Sequence, residues 1–108
     1  MKMYYIMATM WDKTQVMCHE ATIEHYGYDG SNIEMEMQFQ TKEYIEQYDH
    51  HIAIFNTSEI ETIMQFRSST GWNDPHDKKI VFGKNGSEWR DVFKNATNIE
   101  VKEIVINF

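Results

Sequence analysis

Nine residues, Met17 to His25, gather a thiol, two imidazoles and two carboxylates in the order Met-Cys-His-Glu-Ala-Thr-Ile-Glu-His. Such groups can ligate a transition metal or make a thiol–imidazole nucleophile. Their spacing argues against both within the stretch itself. The helical zinc-protease pattern needs histidines at i and i+4, on one face. His19 and His25 are six apart, which on a helix leaves them about 240° apart. On a strand the even spacing returns both to one face. They share it with Met17, Ala21 and Ile23, while Cys18, Glu20, Thr22 and Glu24 take the other. An imidazole for Cys18 must then come from a distance, from His50, His51 or His76.

Three further stretches carry chemically capable residues. Asp49, His50 and His51 adjoin one another, but neighbouring side chains diverge on any regular element. A metal site therefore needs His76 and Asp77 to converge with them from a separate loop. Gly83, Lys84 and Gly86 precede an expected helix, where free backbone N–H groups can hold an anion. The stretch lacks the P-loop spacing. Trp72 lies in the longest expected loop and is a candidate contact anchor. No motif implies a cofactor or a catalytic set, and none is expected.

Charge is the most informative feature. The net charge is −7, yet residues 14–66 hold ten acids against Lys42 alone and carry −9, while residues 1–13 and 67–108 carry +1 each. Such a cluster steers basic partners and repels phosphate backbones. Direct nucleic-acid binding by this segment is disfavoured.

Cys18 is the only cysteine, so no internal disulfide forms, which fits a reducing, cytoplasmic setting. No apolar run reaches transmembrane length, and no signal-peptide pattern is present. Leucine is absent; isoleucine, methionine and aromatics supply the apolar stock, which leans toward sheet. Asn56, Asn85 and Asn95 each begin an Asn-x-Ser/Thr triplet and read as turn and cap residues.

Periodicity supplies the elements that must position these groups. Met3–Trp11 is apolar at both parities and reads as a strand covered on both faces. Residues 14–26 favour a strand paired with it over a helix, because Glu20 and Glu24 would repel at i, i+4. Asn32–Gln40 alternates Ile33, Met35, Met37 and Phe39 with Glu34, Glu36, Gln38 and Gln40. It reads as a half-buried strand with one acidic, solvated face. Thr41 caps a helix from Lys42 to about His50. His51–Phe55 reads as a buried strand. Ser58 and Glu61 form a capping-box signature for a helix to Ser69, with Ile60, Ile63 and Met64 as its apolar face. Ser69–Lys78 is a loop and Lys79–Gly83 a strand. Gly86–Ala96 is a helix capped by Ser87, with Trp89, Val92, Phe93 and Ala96 on one side. The last strand, Ile99–Phe108, changes inward parity, and a bulge near Lys102 and Glu103 accounts for it.

The expected fold is one α+β domain over residues 1–108. Its sheet is mixed and mostly antiparallel, with an N-terminal antiparallel region and two to three short helices packed on it. The trailing strand–helix alternation leaves room for a parallel pair. The expected function is a protein-interaction module that offers an acidic surface to a basic, nucleic-acid-binding groove of a partner. It acts there as an inhibitor by charge mimicry. Phage-encoded anti-restriction and anti-CRISPR proteins are one class of this size and charge. Glu34, Glu36, Glu43, Glu46 and Asp49 are its candidate contacts, with Trp72. Two alternatives stand beside it: a small metal-dependent hydrolase or nuclease using the His/Asp/Glu site, and a self-assembling subunit that pairs strands across chains.

Overall fold

The computed structural model describes residues 2–48, 51–69, 80 and 82–104. Five strands form one sheet: β1 (Met3–Met10), β2 (Gln15–Tyr26), β3 (Asn32–Thr41), β4 (Ser87–Glu88) and β5 (Ala96–Ile104). Their spatial order is β4-β3-β2-β1-β5, and every pairing is antiparallel. The helices are α1 (Lys42–Gln47), α2 (Thr57–Ser69) and α3 (Trp89–Asn95). The α+β reading holds, and no parallel pair forms among the described residues. β5 returns beside β1 in the opposite sense, with Met3 facing Ile104 and Thr9 facing Asn98.

Two tight turns build the first three strands into a meander. Between β1 and β2, Lys13 takes φ +73°, and Asp12 Oδ1 accepts the Thr14 N–H at 3.0 Å. Hydrogen bonding from Thr14, through its side chain first and then through this N–H, holds the Asp12 carboxyl below its ordinary pKa. Between β2 and β3, Gly27 and Gly30 have positive φ, and Asp29 Oδ1 accepts the Ser31 N–H.

One face of the sheet carries the core. Ile6, Ala8, Met10, Val16, Cys18, Met35, Met37 and Phe39 are buried there with Phe55, Ile63, Trp89, Val92 and Phe93. α3 closes this face over β3. The Trp89 indole N–H donates to the Met35 carbonyl at 3.3 Å, and Phe93 meets both Trp89 and Phe39 edge-on at 5.6 Å.

Several local expectations shift. A bulge at His19 interrupts β2: Cys18 faces Phe39, and Glu20 faces Gln38. His19 and Glu20 together oppose one residue, so the parity reverses. Cys18 thereby joins Ala21 and Ile23 on the core side, and the strict division of Met17–His25 into two faces is corrected. The C-terminal bulge falls at Thr97, between the pairs Thr9–Asn98 and Met10–Ala96, and the ladder runs unbroken through Lys102 and Glu103. The α2 capping box is Asn56–Glu59: Asn56 Oδ1 accepts the Glu59 N–H at 2.8 Å, and Glu59 Oε1 accepts the Asn56 N–H at 2.9 Å. That is two residues before the Ser58–Glu61 pair. Ser87 lies in β4 opposite Phe39 and does not cap α3, whose N-cap is Glu88. α1 stops at Gln47, short of His50.

Residues 51–55 form no regular strand. The Ala53 N–H donates to the Cys18 carbonyl at 2.9 Å, while Phe55 and Tyr4 exchange two backbone bonds at 2.8 Å. The chain thus runs between β1 and β2 where they part. β1 and β2 are paired only from Met7–Met17 to Thr9–Gln15, so beyond the bulge β2 continues as a two-stranded arm with β3.

Candidate functional site

The arm sets the geometry of the acidic segment. On its solvent face Glu20 stands opposite Gln38, Thr22 opposite Glu36, Glu24 opposite Glu34 and Tyr26 opposite Asn32. Glu20, Glu24, Glu34 and Glu36 are all exposed. Met35 and Met37 point to the other side, into the core. The alternation of β3 therefore places Glu34 and Glu36 outward, as their parity requires. Like charges placed directly opposite destabilise a strand pair, and Glu24–Glu34 is such a pair. No Lys, Arg or His among the described residues forms an ion pair with these four glutamates.

Tyr26 softens the crowding. Its hydroxyl donates to the Glu24 carboxylate. The phenol is pushed up to about 12, chiefly by that bond, with desolvation and Glu34 adding to it. Tyr26 and Tyr28 are exposed at and beyond the end of the arm. A shallow depression of about 240 Å³ lies between Glu20, Thr22, Glu36 and Gln38. The whole face presents carboxylates, amides and phenols on a rigid ladder. It can hold guanidinium or ammonium groups.

No known protein family matches the chain, and no characterised protein or solved structure matches it either.

The other expected contacts fall elsewhere. Glu43 and Glu46 sit on α1 beside Lys13 and Lys42, around a depression of about 440 Å³. The Lys42 ammonium lies 3.9 Å from Glu46. Glu36 is five residues before Thr41 along β3, about 17 Å at the usual strand rise. Glu34 and Glu36 are thus brought together with Glu20 and Glu24, and not with Glu43 and Glu46. Asp49, His50, Trp72, His76 and Asp77 lie outside the described residues. Among the described residues no three His, Cys, Asp or Glu side chains are grouped as metal ligands. No helix among them is long and apolar enough to cross a membrane.

Cys18 is fully buried, and its thiol donates to the Glu20 carbonyl at 3.4 Å. Burial pushes its pKa up from 9.0 to about 12. The thiolate is the reactive form, so this thiol is inert in the folded state. A disulfide reagent at about pH 8 should label it only after unfolding in urea. Fast labelling of the native protein would contradict its burial. The neutral form is the one favoured by folding, so its contribution is complete below pH 9.0 and declines as pH rises toward about 12. Cys18→Ala should remove that part of the alkaline loss of stability.

Sequence reasoning named Glu34 and Glu36 and missed their pairing with Glu20 and Glu24. The bulge was the hidden step: continued from Cys18–Phe39 without it, the register would set Glu20, and not Ala21, opposite Met37 on the core side.

Proposed function

We propose that the protein is an acidic interaction module that docks the outer face of the β2–β3 arm onto a basic surface of a partner protein. A surface built to hold nucleic acid is the natural target, because it is lined with Lys and Arg. Occupying it blocks the nucleic acid, so the module acts as an inhibitor, in the manner of phage-encoded anti-restriction and anti-CRISPR proteins. One observation supports this reading above the others: Glu24 and Glu34 are held directly opposite one another on an exposed ladder, with Glu20 and Glu36 flanking them. That arrangement costs folding energy, and a cationic partner relieves it.

The test compares two variants of equal charge change. Glu24→Lys/Glu34→Lys alters the arm; Glu61→Lys/Glu103→Lys alters exposed positions on α2 and β5. Immobilised wild-type protein should capture basic nucleic-acid-binding proteins from a cell lysate, identified by mass spectrometry. Duplex DNA and added salt should release them. The arm variant should bind at least about tenfold more weakly, and the control variant nearly as well as wild type. A single Glu34→Lys should also stabilise the fold by about 0.5 kcal/mol, since it turns a repulsive cross-strand pair into an attractive one. Capture that is indifferent to both salt and the arm variant would sink the proposal.

A further inference from the structure

The arm has an edge as well as a face. β2 pairs with β1 only over Gln15–Met17, and the inserted segment takes one further bond, Ala53 N–H to Cys18 carbonyl. Beyond the bulge, Ala21–Tyr26 pair with β3 on one side. Among the described residues no backbone group meets them on the other. Alternate residues of an antiparallel strand send both N–H and C=O to the same side. Among the described residues, Ala21–Tyr26 therefore present an open row of donors and acceptors about 20 Å long. Such an edge is a template for another strand.

Building on the acidic-face function proposed above, we propose that the partner contributes an extended segment, alternating basic and apolar, that adds to the free edge of β2 as a further strand. The two faces of the arm define that alternation. A strand laid beside β2 sits about 4.8 Å away. Its outward side chains become cross-strand neighbours of Thr22 and Glu24, where Lys or Arg is favoured. Its inward side chains fall beside Ala21 and Ile23, which pack partly buried against the core, where Val or Ile is favoured. Tyr26, half exposed at the far end, offers an aromatic face to a guanidinium.

Charge selects this occupant over a second copy of the chain. Two β2 edges pairing antiparallel would bring the glutamates of both copies together, which is destabilising. Charge also selects this edge over β5. There Lys102 already lies 3.4 Å from Glu100, so the outer side is locally neutral.

The probe is a capped peptide, Lys-Val repeated three times. It is compared with the same sequence N-methylated at two successive residues, so that neither edge can pair. Binding is read by calorimetry at low salt and by amide hydrogen exchange of the full chain. The unmodified peptide should slow exchange at alternate amides within Ala21–Tyr26, and N-methylation should weaken binding at least about tenfold with charge unchanged. Equal binding of both peptides without protection at Ala21–Tyr26 overturns strand addition. If Glu24→Lys/Glu34→Lys still abolishes that binding, the acidic-face reading stands alone. Protection at Ala21–Tyr26 that survives the same double variant supports the edge and refutes the charge reading. Protection on β5 instead, or a dimer whose Ala21–Tyr26 amides are protected before peptide is added, overturns the assignment.

Discussion

Gly86→Ala is expected to destabilise the protein by about 2–5 kcal/mol, the sum of a left-handed backbone penalty and steric overpacking. Gly86 closes the turn before β4, where its N–H donates to the Gly83 carbonyl at 3.0 Å. Its φ of +87° disfavours any side chain, and a Cβ there would stand 2.3 Å from the Phe39 carbonyl oxygen and 3.0 Å from His19 Nε2. The first obstacle does not yield easily. The oxygen belongs to the backbone of β3 at a fully buried residue, and the imidazole belongs to the bulged residue of β2. Two other glycines calibrate the effect. Gly30 has φ +72° but meets nothing nearer than 4.0 Å, so alanine there should cost only the backbone term, about 1–2 kcal/mol. Gly83 has open space around it, and alanine should fall within about 0.5 kcal/mol of wild type. Urea unfolding of the three variants measures the series. A Gly86→Ala midpoint equal to that of Gly30→Ala would show that the close approach to Phe39 is absent.

Trp89→Ala should cost about 3–5 kcal/mol, the usual range for emptying a buried aromatic site. Trp89 is fully buried and is the first residue of a helix of seven. A helix so short has little stability of its own and depends on its packing. The indole also serves β3. β4 covers that edge only at Gln38 and Phe39, and the Trp89 N–H continues the cover by taking the Met35 carbonyl. Trp89→Phe keeps most of the apolar volume and removes that donor. It should cost about 1–3 kcal/mol, the penalty of a buried acceptor left without a partner. If Trp89→Phe matches wild type in urea, the indole bond contributes nothing and the site is held by packing alone. Both variants leave the acidic face untouched. Any that remain folded should keep partner binding, which separates stability from function.

Much of the fold was legible where one face of an element is buried. The strict alternation of Ile33–Gln40 placed Glu34 and Glu36 outside, since Met35, Met37 and Phe39 had to go in. The helical spacing of Trp89, Val92 and Phe93 likewise held. What failed was local choice between near-equal options. Asn56–Glu59 and Ser58–Glu61 are both capping-box spacings. The first wins in a chain whose preceding residue, Phe55, is anchored to Tyr4. Ser87 is a sound cap by type, yet it is spent on pairing with Phe39. The bulges at His19 and Thr97 carry no local mark at all.

The sequence by itself determined the α+β class, the hairpin of the first two strands, and an acidic segment with an outward glutamate row on β3. It did so because burial on one side of a pleat or helix leaves a period in the residues. Only the tertiary structure decided that Glu24 faces Glu34, that Cys18 turns inward and is inert, and that Glu43 and Glu46 lie apart with Lys13 and Lys42. Those outcomes hang on a one-residue bulge and on residues 53–55 entering between β1 and β2. Both are set by contacts between parts of the chain far apart in sequence, and a one-residue change in strand register exchanges the faces of everything beyond it.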